Sequence, residues 1–541
     1  MDLTKMNQVK NKLLVASLAA ISVASSFGLA ADTYTLSNAS STQTTADIYN
    51  WIAHLPNRNT NSLLSGAFGG YANVSDSNGF SSSESDNINA LASQRPGIYA
   101  CDYARGWDVT AAGSESDLIN YSCNAQLISH WQSGGLVQIS NHLPNPIFEG
   151  NIAYYNDSGK AVGGLNSIVS NDDLAKLLVD QSAERIRWLA ILDKVAEGLQ
   201  ELEDAGVPVI YRPLHEMNGE WFWWGATSYN SSDQTRQQLY VDLYKDMFDY
   251  FTNTKTLDNL IWVYSPDAKR NAKTAFYPGS AYVDIVGLDA YLDDFSLMNG
   301  YCEMLSLNKP FALAEVGPDQ NKGQFNYHEM IKVIKSHFPQ TSYFIPWNDV
   351  WSPTNNLKTS EAFNHDAVVN LGEIWEGEHL SSIVETAPVQ TEVLYDFESG
   401  TEGWGSESQS VSGYWAVNEW ACSGGQSLKA NIELKNDDTF DLKVASALDL
   451  SDKNSLSVLV RLASWGNVGS GLKAKLYLKT GPEYQWFDGG ELTITNGQTN
   501  TATLDLNTVV NRNDIRELGI YFSTGSASGS TALYIDKVLA Y

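Results

Sequence analysis

The sequence predicts a (β/α)8 barrel, the TIM-barrel fold of the α/β class, followed by an all-β sandwich module of the jelly-roll type. Three observations support this architecture. Eight short apolar runs alternate with helical stretches within residues 31–380, a polar, proline-containing linker follows at 381–392, and strand-like segments separated by Gly, Ser and Asn turns fill residues 393–541. A chain of 541 residues is long enough for two such domains.

The apolar runs are rich in β-branched and aromatic residues, which is typical of buried parallel strands. Eight is the number of strands that closes a (β/α)8 barrel. An open doubly wound sheet is the alternative, but no GxGxxG motif follows the first run. The runs lie at residues 62–70, 96–103, 134–142, 207–216, 259–267, 283–291, 310–317 and 341–349.

Helical periodicity is clearest in three stretches. A first helix is expected around residues 46–55, and a long one over 173–206, where leucines recur at helical spacing and Gly206 provides a stop signal. A third helix is expected within residues 231–251. Helices of this kind between buried strands form the outer ring of a barrel.

The first 30 residues have the layout of a secretory signal peptide. Three lysines precede an apolar stretch that begins at Leu13 and ends in small residues, with cleavage expected around Ala30 or Ala31. A membrane anchor is the alternative, but the apolar stretch is short and interrupted by serines. We therefore expect a secreted protein, extracellular or periplasmic, and no later stretch is apolar and long enough to span a bilayer.

The charge balance excludes two classes of partner. The chain has 34 basic and 63 acidic residues, a net charge of −29. Such a surface repels nucleic acid and anionic membranes, whereas an uncharged polymer is not repelled. We expect a monomer that acts on a neutral substrate.

Four cysteines are available for disulfides in an exported protein. Proximity in sequence favours a bridge between Cys101 and Cys123, with Cys302 and Cys422 remaining, but four cysteines allow three connectivities. The chain has no CxxC motif and no cysteine–histidine cluster, so a structural zinc site is not indicated.

Two glutamates, each near the end of an apolar run, are the candidates for catalysis. The fourth run ends in His215 and Glu216 and the seventh in Glu315, and active sites of barrels lie at the carboxyl ends of the strands. A carboxylate at the end of a buried strand is costly unless it has a partner or a task. Two carboxylates across a barrel mouth are the equipment for glycoside hydrolysis.

Structural roles are the alternative for the same residues. Glu216 could pair with Arg212, and the aromatic run at 221–224 could be core packing. A zinc protease is a poor fit, because Gly219 stands where an HExxH motif needs its second histidine. No GxSxG motif supports a serine nucleophile.

The stretch RPLHEMNGEWFWWG at residues 212–225 closely resembles the acid/base motif of glycoside hydrolase family 26, whose commonest activity is endo-β-1,4-mannanase. FALAEVG at 311–317 is similar to the nucleophile strand of that family, and the resemblance covers about residues 45–375. It implies a retaining, double-displacement mechanism on β-mannan, with Glu216 as acid/base and Glu315 as nucleophile, and with no cofactor for catalysis.

Further segments of the barrel resemble the substrate-binding segments of the family. They are GGLVQISNHLPNP at 134–146 and VGLDAY at 286–291. Together with the aromatic residues near the strand ends, they predict the substrate-binding residues His142, His215, Trp221, Tyr291, Trp347 and Trp351.

The C-terminal segment resembles β-sandwich carbohydrate-binding modules in its opening at 394–404 and its closing strand at 532–541. Acidic groups near its two ends, Asp396, Glu398 and Asp536, predict a structural Ca²⁺ between paired terminal strands; ordinary surface carboxylates are the alternative. The candidates for stacking on sugars, each of which could equally be core, are Trp415, Trp420, Trp465, Tyr484 and Trp486.

Three functions remain in competition. The first is an exported endo-β-1,4-mannanase with an appended polysaccharide-binding module. The second is a family relative that acts on β-1,3-xylan or mixed-linkage β-glucan. The third is a non-catalytic glycan-binding protein, which the presence of both Glu216 and Glu315 argues against.

Overall fold

The computed structural model describes residues 34–58, 60–75, 78–109, 113–229, 231–374, 392–422, 425–466 and 468–540. The predicted signal peptide at 1–30 and residues 381–391 of the predicted linker lie outside the described residues. Among the helices of the described part, none is long and apolar enough to cross a membrane.

Eight parallel strands form a closed barrel, as the sequence predicts. The strands are β1 Leu63–Tyr71, β2 Ile98–Asp102, β3 Leu136–Ser140, β4 Val209–Arg212, β5 Leu260–Tyr264, β6 Ile285–Tyr291, β7 Phe311–Gly317 and β8 Thr341–Pro346. Each strand pairs with the next, and β8 pairs back with β1 through Leu64 opposite Tyr343. The short strand Val368–Val369 pairs in parallel with the N-terminal end of β1.

Nine α-helices are described, and most of them surround the barrel between successive strands. Their apolar sides and the strands share one large core. A hairpin of Ile152–Tyr155 and Ala161–Gly163 lies between β3 and the helices that precede β4. The helices are α1 Gln43–His54, α2 Ser83–Ala92, α3 Asn124–Gln132, α4 Asn171–Lys176, α5 Ala183–Asp204, α6 Gln234–Asp249, α7 Tyr301–Leu305, α8 Tyr327–His337 and α9 Thr359–Phe363.

The prediction of one continuous helix over 173–206 is wrong. The structure has two helices, α4 and α5, because Gln181 adopts a left-handed φ of 64° and Ser182 caps a new helix. The Ser182 side chain accepts a hydrogen bond from the Arg185 N–H. A serine at an N-cap satisfies a backbone donor that would otherwise lack a partner, so it favours a helix start at this point.

The segment after residue 392 forms a β-sandwich with its own core. The strands are β9 Glu392–Tyr395, β10 Val411–Val417, β11 Ser427–Leu434, β12 Thr439–Ala445, β13 Ser455–Leu462, β14 Lys473–Thr480, β15 Gln485–Asp488, β16 Leu492–Thr493, β17 Thr499–Asp505, β18 Ile515–Ser523 and β19 Gly529–Ala540. The larger sheet has the order β10-β11-β19-β13-β17, with β9 paired to β19. The smaller sheet has the order β12-β18-β14-β15, with β16 paired to β14. The inner faces of both sheets supply the core.

Two disulfides are formed. Cys101–Cys123 lies within the barrel, and Cys302–Cys422 joins the barrel to the sandwich. Leu459 of β13 is buried in the same core cluster as the barrel residues, and the Thr501 hydroxyl donates to the His337 carbonyl at 2.6 Å. The sandwich is therefore fixed to the barrel by a covalent bond, apolar contact and a hydrogen bond.

Candidate active site

Arg212, the last residue of β4, connects three strands at the barrel mouth. Its guanidinium donates to the Asp289 carboxylate of β6 at 2.7 Å and to the Glu315 carboxylate of β7. Burial alone would lower the pKa of Arg212, but the two carboxylates raise it above its ordinary value. Asp289 also accepts a hydrogen bond from the Ser265 hydroxyl. A cation that is 0% exposed is therefore held between two anions.

Glu315 is held at both of its carboxylate oxygens. Arg212 donates to Oε2 and the Tyr291 hydroxyl donates to Oε1. The side chain is buried but retains 6% exposure. Because a cation and a phenol both donate to it, the carboxylate has one fixed orientation at the barrel mouth.

Glu216 lies in the loop that follows β4, in surroundings of the opposite kind. Its φ of 54° is in the left-handed region, and its N–H donates to the Ser265 carbonyl at 2.8 Å. The Trp221 indole donates to its Oε2 at 2.6 Å. Burial raises the pKa of Glu216 well above its ordinary value, and the negative charges of Glu315 and Asp289 raise it further. A carboxyl group in this position retains its proton at a pH at which an exposed glutamate has lost it.

A pair of histidines adjoins the glutamates. His142 Nδ1 lies 2.7 Å from the Asp102 carboxylate, and its Nε2 lies 3.3 Å from Nε2 of His215. Burial lowers the pKa of His215 well below its ordinary value, and the charge of Arg212 lowers it further. His215 is therefore a neutral ring that can exchange hydrogen bonds with a hydroxyl group.

The aromatic run at 221–224 serves two purposes. Trp223 and Trp224 are completely buried, so core packing is the correct interpretation for these two rings. Phe222 is nearly buried and its ring lies against His142 and His215. Trp221 is partly exposed and lies beside Glu216, and its substrate-binding role stays a prediction.

Two further predicted aromatic residues border the same mouth. The Trp347 ring stacks on Phe68, with centroids 3.7 Å apart, and its edge faces His142 at 5.9 Å. Trp351 packs against Tyr291 at 6.1 Å. The structure therefore brings the two glutamates and all six predicted substrate-binding residues into one connected set of contacts.

Several residues of the site were missed by the sequence analysis. Asp102 orients His142 through a hydrogen bond. Asp102 lies near the end of the second apolar run, as Glu315 does in the seventh, so its position in the sequence could have indicated a site residue. Tyr71 and Trp107 lie edge to face at 4.3 Å beside His142, and Trp107 is 39% exposed. Trp107 lies in a loop without a motif, so no local pattern indicates it.

The acidic residues predicted to bind Ca²⁺ have backbone partners in the structure. Glu398 accepts from the N–H groups of Gly425 and Gln426 at 2.7 and 2.9 Å, and buried Asp536 accepts from the Cys422 N–H at 2.6 Å. Within the described part of the chain, no group of three or more His, Cys, Asp or Glu could hold a metal ion. The described residues do not bring Asp396, Glu398 and Asp536 together as such a group, and Ca²⁺ stays a prediction.

Comparison with known proteins agrees with the fold. Residues 37–373 match the model of glycosyl hydrolase family 26. The chain belongs to this family. It is therefore a glycoside hydrolase. Residues 395–537 match a second model, described as a mannanase galactose-binding-like domain.

Two relatives of this family member are mannan endo-1,4-β-mannosidases. The chain is 42% identical over 506 residues, 93% of either protein, to mannan endo-1,4-β-mannosidase A and B of Caldalkalibacillus mannanilyticus. It is 50% identical over 348 residues, 64% of this chain and 91% of the relative, to a mannan endo-1,4-β-mannosidase of Bacillus subtilis. The solved structure of the Bacillus subtilis mannanase BCman superposes with a TM-score of 0.61 at 50% identity, over 65% of this chain and all of that one.

Removing the cation of the Arg212 cluster should destabilise the barrel in a pH-dependent way. We expect Arg212→Met to lower the free energy of unfolding by about 3–5 kcal/mol at neutral pH, because Asp289 and Glu315 would remain buried without a cation. Burial already raises the pKa of Asp289 well above its ordinary value, and the charge of Arg212, which lowers it, would be lost in the variant, so this pKa would rise further. The deficit should therefore grow as pH rises and shrink as pH falls, in denaturant unfolding measured across pH.

Arg236→Met is the matched control for this experiment. Arg236 is equally buried, but it donates to the carbonyls of Gly225, Val169 and Trp223 rather than to carboxylates. Its loss should be destabilising with little pH dependence. Equal pH dependence in the two variants would contradict the charge cluster as the source of the effect.

Proposed function

We propose that this glycoside hydrolase is an exported, retaining endo-β-1,4-mannanase that cleaves mannan, glucomannan or galactomannan. The observation that carries the proposal is the pair of buried glutamates at one barrel mouth with opposite surroundings, Glu216 among negative charges and Glu315 between two donors. The two mannan endo-1,4-β-mannosidases at 42% and 50% identity support mannan as the substrate.

Glu216 is the proton donor of the first step. Its raised pKa keeps the carboxyl group protonated, so it can transfer a proton to the oxygen of the leaving sugar. The Trp221 N–H donates to Glu216 and holds the side chain in place during this transfer. In the second step the resulting carboxylate accepts a proton from the attacking water.

Glu315 is the nucleophile that attacks the anomeric carbon. Arg212 and Tyr291 fix the carboxylate, so that one orientation is available for attack. The bond from the anomeric carbon to the leaving oxygen breaks as the bond to Glu315 forms, and water then displaces Glu315 with Glu216 as the base. Two inversions give net retention of the anomeric configuration.

Aromatic rings and neutral polar groups hold the sugar chain. Trp221, Trp347 and Trp351 offer flat apolar surfaces beside the glutamates, and His142 and His215 offer ring nitrogens for hydroxyl groups. The fixed position of His142 follows from its bond to Asp102. These groups suit a neutral polysaccharide.

Export is part of the proposal. The N-terminal 30 residues have the layout of a signal peptide, and two disulfides, Cys101–Cys123 and Cys302–Cys422, suit an oxidising compartment. Expression with the leader, followed by N-terminal sequencing of the mature protein, tests this part. The expected result is a new N-terminus near Ala31 outside the cytoplasm.

A panel of substrates separates the three functions in competition. We expect release of reducing ends from galactomannan and glucomannan, and far slower release from β-1,3-xylan or mixed-linkage β-glucan. Faster cleavage of either of the latter polysaccharides would contradict mannan as the substrate. Binding of mannan without any cleavage would identify a glycan-binding protein instead.

Replacement of the nucleophile gives a first direct test of mechanism. Glu315→Ala should lose nearly all turnover, because the attacking carboxylate is gone. It should keep the fold at some cost in stability, because Arg212 retains Asp289 as its anionic partner. Added azide should occupy the vacated space and restore cleavage of an activated aryl mannoside, with a product of inverted configuration by NMR. Substantial turnover of Glu315→Ala without azide would contradict the assignment.

Replacement of the acid should give a result that depends on the leaving group and on pH. Glu216→Ala should reduce cleavage of mannan by several orders of magnitude, but reduce the first step on an activated aryl mannoside much less, because a good leaving group needs little protonation. In the parent, kcat/KM on mannan should fall as pH rises through the raised pKa of Glu216. This alkaline limb should be absent from the first step of the variant. Equal damage to both substrates is the contrary outcome.

A further inference from the structure

A row of side chains crosses the outer face of the larger sheet of the sandwich. Trp415 of β10 lies opposite Lys429 of β11, Lys429 opposite Tyr534 of β19, and Tyr534 opposite Arg461 of β13. Residues directly opposite one another share a face of a sheet. The neighbouring positions Leu428, Ile535 and Val460 belong to the sandwich core, so the row faces outward. It spans three strand spacings, about 14 Å at the usual interstrand distance.

Lys429 occupies the centre of an aromatic enclosure. Its Nζ lies 6.0, 5.9 and 5.7 Å from the ring centres of Trp415, Trp465 and Tyr534. It also pairs with Glu419 at 2.5 Å, and the Tyr534 hydroxyl donates to the same carboxylate at 2.9 Å. Lys429 is 8% exposed, so its charge is both neutralised and largely removed from solvent.

The two tryptophans of this enclosure are exposed. Trp415 is 43% and Trp465 is 51% exposed, and the centre of each ring lies about 6 Å from the Lys429 Nζ. We name Trp415, Lys429, Trp465, Glu419 and Tyr534 the aromatic platform. Large exposed apolar surfaces rimmed by polar groups mark interaction sites. Flat indoles suit the apolar faces of sugar rings, and the Glu419–Lys429 pair offers hydrogen bonds to hydroxyl groups without a net charge.

We propose that the aromatic platform binds a β-1,4-linked mannan chain outside the catalytic cleft. The ligand class follows from the neutral ion pair, the exposed indoles and the net charge of −29, which disfavours an anionic polymer. That the neutral polymer is mannan rests on the proposed function. The match of this domain to a galactose-binding-like domain of mannanases agrees with a sugar ligand.

The platform continues toward the barrel. Beyond Tyr534, Trp420 lies between the Tyr534 ring at 5.9 Å and the Arg461 guanidinium at 5.8 Å, and it packs on the barrel core. Arg461 and Thr499 line a cavity shared with Glu303 of α7. The Cys302–Cys422 disulfide links the barrel to the sandwich at this point, so a polysaccharide bound on the platform stays at a fixed position relative to the barrel. This raises the local concentration of substrate.

The smaller sheet carries aromatic residues that are the alternative candidates for sugar binding. Trp486 is 40% exposed, but one face of its ring stacks on Tyr477 with centroids 4.0 Å apart, and its indole N–H donates to Asp488. Its hydrogen-bonding group and one ring face already have partners within the sheet. Trp486→Ala is therefore the matched control, since it removes an equally exposed indole from the other face of the sandwich.

Affinity electrophoresis of the full chain in gels that contain galactomannan tests the proposal. The Glu315→Ala background prevents digestion of the polymer, and circular dichroism verifies folding of each variant. Trp415→Ala and Trp465→Ala should each weaken binding roughly tenfold, the loss expected for one central aromatic contact. Trp486→Ala should bind as the background does. In the catalytically intact chain, all three variants should cleave short soluble manno-oligosaccharides at the parental rate.

The outcomes separate the platform from the proposed function. Suppose that the parent cleaves mannan. Unchanged binding in Trp415→Ala and Trp465→Ala would then overturn the platform and leave the proposed function intact. Loss of binding only in Trp486→Ala would do the same. Gels with xylan and hydroxyethyl cellulose run in parallel. If xylan or hydroxyethyl cellulose retards the parent but not the platform variants, and galactomannan retards neither, mannan is overturned as the ligand. Failure of the parent to cleave mannan would overturn the proposed function.

Discussion

One buried guanidinium determines the arrangement of the barrel mouth. Arg212 ends β4 and bonds to carboxylates on β6 and β7, so the ends of three strands are held together by one cation. Burying an ion cluster costs desolvation free energy, and the attraction between its charges offsets this cost only when the remaining hydrogen bonds are also made. Asp289 receives a further donor from Ser265, and Glu315 receives one from Tyr291. The site therefore depends on a cluster whose members cannot be removed singly without cost.

The same cluster gives the two glutamates different electrostatic surroundings. Arg212 is shared between Asp289 and Glu315, so the group carries a net negative charge toward Glu216. Burial and this negative charge both favour the protonated form of Glu216, while Glu315 retains direct contact with the cation. Different surroundings for two carboxyl groups are what an acid and a nucleophile in one site require.

Sequence patterns predicted the barrel well because its signal is local. Each of the eight apolar runs matches one barrel strand, although β1 extends one residue beyond its run, to Tyr71. Glu216 and Glu315 are predicted as catalytic because a carboxylate at the end of a buried run needs an explanation. The helix break at Ser182 was missed because a cap competes with an otherwise helical pattern. Partners distant in sequence could not be predicted: Arg212 bonds to Glu315 across 103 positions, and Cys302 bonds to Cys422 across 120. Sequence could not assign Trp223 to the core and Trp221 to the site, because neighbouring tryptophans differ only in their surroundings.

Titration of Glu216 in the intact barrel tests this account most directly. Carbon-13 labelling of the glutamate side chains, with Glu216→Gln for assignment, gives the pKa of this carboxyl group by NMR. The parent should show a pKa well above the ordinary 4.5, and Glu315→Gln should lower it, because one negative charge is lost and Arg212 is less neutralised. A pKa near 4.5 in the parent, or no change in Glu315→Gln, would contradict the electrostatic separation of the two glutamates.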